Sequence, residues 1–239
     1  QTCALPICIR LKYKAILKWR KQVIMENIIV KIQDASVSLK NFTLHPVNIE
    51  IPEGFITGIT GANGAGKTTF IQMVLGCFPK MNGTVTINGS DVIQERQKAL
   101  AMTGVISEKR TFYEEEDALK NEEYFSSFYE NWDKEIYREY LKKMNIPPSK
   151  AIGNLSKGER IKFQLAFSAA YKPALLIMDE PASGLDPVFR TDFFKILQEF
   201  VAEYMSAIII SDNVTENLEQ IADYLITIEN GECSWKEAI

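Results

Sequence analysis

Short runs of β-branched and apolar residues alternate with polar residues between positions 27 and 51. A period of two predicts strands with one buried face, and the runs end at a Pro-Glu-Gly turn signal. Next, an apolar strand is predicted over Phe55 to Thr60, followed by a glycine-rich segment and a helix over Lys67 to Leu75. The first third of the chain therefore predicts a layer of early strands and a strand–loop–helix unit.

The second half alternates helical patterns with three strand-like runs, at 175–179, 207–211 and 225–229. Strands separated by helices favour a parallel sheet covered on both faces. An acidic and aromatic pattern over 114–143 predicts helix, and residues 161–170 predict a buried helix. We expect an α/β fold with a parallel core and an antiparallel layer built from the early strands.

Residues 1–24 differ from the rest of the chain. The first seven, QTCALPI, are what a sequencing-adapter tail encodes when translated in this frame, and a ribosome-binding site can be encoded shortly before Met25. We expect a natural start near Met25, or at Val23 through an alternative start codon. The other interpretation is a basic amphipathic helix lying on a membrane surface.

Composition and charge narrow the classes of function. Of the 239 residues, 46% are hydrophobic and 24% charged, and the net charge is −4, so bulk charge does not indicate nucleic-acid binding. A histidine-rich metal site is excluded because the chain has one histidine, His45. Four cysteines without CxxC spacing favour a reducing compartment.

A phosphate-binding loop follows the first apolar strand, because residues 61–68 match G-x-x-x-x-G-K-[ST] between a strand and a helix. Glycines let backbone N–H groups converge on an anion at the helix N-terminus. The lysine suits the β- and γ-phosphates, and the following hydroxyl suits Mg²⁺. The predicted nucleotide-binding residues of this loop are Gly61, Ala62, Asn63, Gly64, Ala65, Gly66, Lys67, Thr68 and Thr69.

Two carboxylates end the apolar run at 175–178. Asp179 suits a Mg²⁺ ligand, and Glu180 is placed to accept a proton from an attacking water. Further back, Ser156 and Glu159 form a capping-box pattern. The alternative for that segment is a second anion site at the helix N-terminus, using Ser156 and Gly158.

The order GANGAGKT, LSKGE, LLIMDEP and SGLD resembles the ATP-binding subunits of ABC transporters, over residues 26–231. The resemblance implies a RecA-like P-loop NTPase core with an antiparallel β layer and a helical subdomain around 109–172, within one ATP-binding domain over 25–239. It makes residues 61–69 the Walker A loop, Asp179 the Walker B aspartate and Glu180 the catalytic glutamate. It also implies a head-to-tail dimer in which Ser156, Gly158 and Asp186 contact nucleotide held by the other subunit.

Three positions depart from the family's pattern. The glutamine of the Q-loop aligns with Glu108, which can ligate Mg²⁺ or accept a hydrogen bond but cannot donate one. The switch histidine aligns with Asn213, which can donate a hydrogen bond to a γ-phosphate but carries no proton for transfer. The adenine-stacking aromatic residue aligns with Leu39, which offers only apolar contact.

The resemblance implies an ATPase that uses ATP and Mg²⁺, with Glu180, Lys67 and Asn213 as catalytic residues and Thr68, Glu108 and Asp179 as metal ligands. Its expected partners are a second ATP-binding subunit, identical or different, and a separate transmembrane permease, with no nucleic acid. The expected place is the cytoplasmic face of a bacterial membrane. The alternative, suggested by the three departures, is a nucleotide-gated binding or regulatory module with little turnover.

Overall fold

The computed structural model describes residues 27–107, 111–181 and 183–238. The predictions for residues 1–24 and for Glu108 therefore lie outside the described residues. Within the described ranges, no helix combines the length and apolar character needed to span a membrane.

The chain forms two sheets. A four-stranded antiparallel sheet has the order β2-β1-β4-β5. Its strands are β1 (Ile28–Leu39), β2 (Phe42–Pro52), β4 (Asn82–Ile87) and β5 (Ser90–Asp91). This sheet confirms the antiparallel layer predicted from the early period-two pattern, although the predicted short runs join into two long strands.

The second sheet has six strands in the order β10-β9-β3-β8-β7-β6. All neighbours are parallel except β10, which pairs antiparallel with β9. Its strands are β3 (Ile56–Thr60), β6 (Thr103–Ile106), β7 (Leu175–Met178), β8 (Ala207–Ser211), β9 (Tyr224–Glu229) and β10 (Glu232–Glu237). The parallel core predicted from alternating strands and helices is confirmed.

Helices follow the strands along the chain. They are α1 (Lys67–Val74), α2 (Arg96–Ala101), α3 (Ala118–Phe125), α4 (Lys134–Lys143), α5 (Lys157–Ala169), α6 (Pro187–Tyr204) and α7 (Thr215–Leu218), with 3₁₀ turns at Ser126–Phe128 and Ile152–Asn154. The helical subdomain boundaries around 109–172 stay a prediction.

The inner strands β3, β7 and β8 of the six-stranded sheet are buried on both faces. Along β7, Leu175 and Ile177 join a hydrophobic cluster with the antiparallel sheet and α1. Leu176 and Met178 point the other way, into a cluster with α5 and α6. Because alternate side chains enter different clusters, an uninterrupted apolar run is what this strand requires.

The sequence predictions did not include β5, α2 or β6, and two further elements differ from them. The helical pattern over 114–143 is broken after Phe125, and α4 begins at Lys134. Asp133 caps α4, because its carboxylate accepts from the N–H groups of Glu135 and Ile136. At the break, the ring of Trp132 packs against that of Phe167, with the two ring centroids 4.6 Å apart. Strand β10 was missed because its residues are mostly polar, as suits an edge strand.

Candidate functional site

The phosphate-binding loop lies at the carboxyl end of β3, the fully buried strand between β8 and β9. Helix α1 starts at Lys67 directly after the loop, and Gly66 precedes it in the left-handed region. Gly61 has φ 151°, and a Cβ there would lie 2.4 Å from the carbonyl oxygen of Ile228. Glycine is therefore required at that position, and the helix N-terminus opens on the loop as the motif predicts.

The Lys67 side chain is buried and its ammonium group has four partners. Nζ donates to the carbonyl oxygens of Gly61 at 2.9 Å and Ala62 at 3.3 Å, and to Oδ1 of Asn213 at 2.5 Å. It also lies 3.5 Å from Oε1 of Glu180. The positive charge is thus held inside the loop, facing the acidic end of β7.

Both predicted carboxylates meet the loop at this point. Oδ2 of Asp179 accepts from Oγ1 of Thr68 at 2.9 Å, and Oε2 of Glu180 accepts from Nδ2 of Asn213 at 2.9 Å. The structure therefore brings together five of the predicted site residues: Lys67, Thr68, Asp179, Glu180 and Asn213.

Ser211, the last residue of β8, was not predicted as part of the site. Its hydroxyl donates to Oδ1 of Asp179 at 2.8 Å, and its oxygen accepts from the backbone N–H of Glu180 at 2.8 Å. A serine that ends an apolar strand would have been the sequence signal, because carboxyl ends of neighbouring parallel strands meet at one edge.

The segment that carries Asn213 is held by its own hydrogen bonds. Asp212 accepts from the N–H of Val214 at 2.8 Å and from Nδ2 of Asn217 at 3.0 Å. The hydroxyls of Thr60 and Thr215 are 2.6 Å apart, which ties α7 to β3. These contacts keep the Asn213 amide between the lysine and the glutamate.

The LSKGE segment forms the start of α5 with the predicted capping box. Oγ of Ser156 accepts from the N–H of Glu159 at 3.2 Å, and the Ser156 N–H donates to Oε2 of Glu159 at 2.7 Å. This backbone hydrogen bond lowers the pKa of Glu159. The anion-binding role of Ser156 and Gly158 stays a prediction.

Lys157 and Asp186 connect this segment to the residues after β7. The Lys157 ammonium donates to the carbonyl oxygen of Ser183. Asp186 caps α6 by accepting from the N–H of Phe189 at 2.9 Å. A structural role for Asp186 is thus visible, and its predicted contact with nucleotide across a dimer stays a prediction.

The predicted nucleotide-contacting residues of the phosphate-binding loop and of the LSKGE and SGLD segments line two separate cavities. A cavity of about 880 Å³ is lined by loop residues 61–65 and Asn213. Another of about 570 Å³ is lined by Ser156, Gly158 and Asp186, and no residue lines both cavities. Within this one chain, the structure does not bring the LSKGE segment and the phosphate-binding loop into one cavity.

Two residues are candidates for contact with adenine: Leu39, which the sequence predicted, and Phe42, which the fold places beside the loop. Leu39 ends β1 and is 44% exposed. The ring of Phe42 lies against the loop, since its Cζ is 2.5 Å from where a Cβ on Gly66 would be. Phe42 also lines the cavity beside the loop, and sequence alignment did not point to it.

The sequence model of the ABC transporter family matches residues 44–183, which is more than half of the chain. This chain belongs to the ABC transporter family. The match includes the phosphate-binding loop, the LSKGE segment and both carboxylates, and it confirms the family expected from the ordered motifs.

Relatives within the ABC transporter family are ATP-binding proteins. The uncharacterized ABC transporter ATP-binding protein YdbJ of Bacillus subtilis is 29% identical over 79% of this chain and 62% of that protein. The ABC transporter ATP-binding protein NatA of the same species is 29% identical over 87% of this chain and 86% of that protein. The chain thus spans less than two thirds of YdbJ's length.

Solved structures of ABC transporter ATPases share the fold. CbiO1 from Clostridium perfringens, part of the ABC transporter complex CbiONQ, has a TM-score of 0.77 at 22% identity. The alignment covers 89% of each chain. The predicted ABC ATPase fold is therefore confirmed.

Proposed function

We propose that this chain binds ATP with Mg²⁺, hydrolyses it, and powers an ABC transporter by nucleotide-driven dimer closure against a separate membrane subunit. The observation that carries the proposal is the hydrogen bond of 2.9 Å between Thr68 and Asp179. It joins the phosphate-binding loop to the acidic end of β7, where a nucleotide-hydrolysing site needs both.

The side chains present suit Mg²⁺, which takes oxygen ligands and is held by few protein groups together with substrate phosphates. The Thr68 hydroxyl and the Asp179 carboxylate would hold it, with Glu108 as the further predicted ligand. When bound, Mg²⁺ supplies positive charge that neutralises the β- and γ-phosphates.

Hydrolysis is proposed to use Glu180, Lys67 and Asn213. Glu180 would accept a proton from water as the water oxygen bonds to the γ-phosphorus and the bond to the β–γ bridging oxygen breaks. Lys67 would exchange its present partners for phosphate oxygens and stabilise their charge. The Asn213 amide would donate a hydrogen bond toward the γ-phosphate.

The proposed partner arrangement is a pair of ATP-binding subunits. It is supported by the separation of the two cavities, since no residue of one chain lines both, and a second subunit would bring its Ser156, Gly158 and Asp186 to the loop-bound nucleotide. A separate transmembrane permease is the proposed recipient of the movement, with this chain at the cytoplasmic face of a bacterial membrane. A role in transport is also supported by the name of a relative, the bacitracin transport ATP-binding protein BcrA of Bacillus licheniformis, which is 30% identical over 77% of this chain and 61% of that protein.

A nucleotide-gated module with little turnover is the second candidate. The specific observation in its favour is that both Glu180 carboxylate oxygens are engaged, one by Lys67 at 3.5 Å and one by Asn213 at 2.9 Å. A carboxylate with both oxygens engaged in this way has fewer acceptor positions left for an attacking water.

Steady-state MgATP hydrolysis by the full chain and by Glu180→Gln separates the two functions. Loss of a general base costs roughly 10²- to 10⁴-fold in turnover, while ATP affinity is expected to stay within a few-fold. The matched control is Glu219→Gln at an exposed glutamate of the segment after α7. Wild-type turnover in Glu180→Gln contradicts the mechanism, whereas tight ATP binding without turnover in the unaltered chain favours the gated module.

A further inference from the structure

Ser211 makes two hydrogen bonds to two different carboxylate-bearing residues. It ends β8 and has no solvent exposure. A hydroxyl has one hydrogen to donate, and the peptide N–H of Glu180 can only donate. The directions are therefore settled: the hydroxyl hydrogen goes to Oδ1 of Asp179, and the Ser211 oxygen accepts from Glu180 N–H, both at 2.8 Å.

The first bond orients the Asp179 carboxylate. Its two oxygens have different partners, because Oδ1 accepts from Ser211 and Oδ2 accepts from Thr68 at 2.9 Å. With Oδ1 occupied by a buried residue of β8, Oδ2 is the oxygen turned toward the phosphate-binding loop. Without the Ser211 hydroxyl, Oδ1 of Asp179 would lose this hydrogen bond and the carboxylate could rotate.

The second bond supports the backbone of Glu180. This residue has φ 50°, in the left-handed region that residues with a Cβ seldom adopt. The direction of a side chain follows its backbone, so this conformation helps to aim the carboxylate at Lys67 and Asn213. The Ser211 hydroxyl oxygen accepts from the Glu180 N–H and thereby holds this backbone conformation.

We infer that Ser211 is a positioning residue that sets the Mg²⁺ affinity and the turnover of this site through Asp179 and Glu180. The inference rests on the proposed function. Ser211 acts through the two carboxylates and needs no contact of its own with nucleotide or metal.

A buried serine at the other end of β8 offers a matched control. Ser206 directly precedes β8, is 1% exposed, and donates to the carbonyl oxygen of Pro173 at 2.6 Å. It therefore has the same kind of buried hydroxyl at the opposite end of β8. Ser206→Ala removes one hydrogen bond without touching a carboxylate of the site.

The experiment compares Ser211→Ala, Ser211→Cys and Ser206→Ala in the full chain. Partners that orient metal ligands typically change metal affinity or activity by about 10- to 100-fold. We expect both Ser211 variants to lose turnover and to need about tenfold more Mg²⁺ for half-saturation. ATP affinity measured in EDTA should stay within about twofold of wild type, because Asp179 and Glu180 are needed for metal and water rather than for phosphate.

The control variant should lower the melting temperature but keep the turnover and Mg²⁺ half-saturation of the wild type. Wild-type Mg²⁺ half-saturation and turnover in a folded Ser211→Ala or Ser211→Cys protein would overturn the inference. If the alanine variant does not fold, the cysteine variant decides, since a thiol occupies similar space but is a weak donor.

Failure of the proposed function gives a different pattern. If the wild type shows no turnover, the ATPase proposal fails, and the gain in ATP affinity on adding Mg²⁺ then decides the role of Ser211. A gain equal to wild type in Ser211→Ala overturns the inference, and a gain reduced about tenfold supports it.

Discussion

At the scale of single residues, the Asn213 amide lies between the two charged groups of the site. Its Oδ1 accepts from Lys67 and its Nδ2 donates to Glu180, and neither partner permits the opposite direction. An amide does not titrate near neutral pH, so this bridge keeps its form where an imidazole would change charge.

Asn213→His should add a pH dependence to ATP turnover. An unperturbed imidazole has a pKa of about 6.5. Its protonated form could still donate to Glu180 but would have no acceptor left for the Lys67 ammonium. We expect turnover of the variant to fall as pH drops through about 6.5 relative to the wild type. The measurement is turnover at saturating MgATP from pH 5.5 to 8.5 for the wild type and the variant.

Asn213→Ala is the control for this experiment, since it removes the bridge without adding a titratable group. Its profile should be lower than that of the wild type but have the same shape. An Asn213→His profile parallel to the wild type would show that position 213 does not contact the reacting groups during turnover.

At the scale of elements, the start of α5 combines a structural cap with a predicted nucleotide contact. The reciprocal bonds between Ser156 and Glu159 satisfy two backbone N–H groups, and Lys150 lies 3.2 Å from the Glu159 carboxylate. Most of this stabilisation is local, which is why the four-residue pattern predicted it.

Glu159→Gln should reduce stability only above about pH 4. The Ser156 N–H lowers the pKa of Glu159 in the folded chain below its value of 4.5 when unperturbed. A carboxyl group whose pKa is lower in the folded state stabilises the folded chain at pH values above its unfolded pKa. This stabilisation is lost as the pH falls through the folded pKa. Because the group is partly exposed, we expect about 0.5 kcal/mol.

Urea unfolding of the wild type and Glu159→Gln at pH 7 and pH 4 measures this difference, with Glu219→Gln as the surface control. The difference between wild type and Glu159→Gln should be larger at pH 7. An equal difference at both pH values would mean that the carboxylate charge adds nothing to the cap.

At the scale of the whole molecule, the site is divided between two surfaces. Loop residues 61–65 line one cavity, while Ser156, Gly158 and Asp186 line another. If the proposed dimer forms, the nucleotide site of one chain is completed by residues of the other chain. A variant that binds ATP but does not hydrolyse it should therefore stay dimeric.

Glu180→Gln should therefore form a dimer with MgATP and remain monomeric without nucleotide, as measured by size-exclusion chromatography with light scattering. Lys67→Ala within the same variant is the control, because loss of the phosphate-binding cation should abolish the ATP-dependent dimer. A Glu180→Gln protein that stays monomeric in saturating MgATP contradicts a homodimer and indicates a different second subunit.

The sequence by itself determined the fold class, the phosphate-binding loop, the two carboxylates after β7 and the cap of α5. Each depends on neighbouring residues: the alternation of polar and apolar positions, a strand that runs into glycines and a lysine, or a hydroxyl three residues before a glutamate. Asn213 came from alignment with the switch position, and its two hydrogen bonds came from the structure.

Only the tertiary structure decided which distant residues meet. Ser211 lies 31 residues from Glu180 and reaches it because β7 and β8 are adjacent in the sheet. The break before Asp133 depends on aromatic packing against α5, and β10 depends on its pairing with β9. Strand order and packing bring these residues together, and local periodicity carries no information about which strands become neighbours.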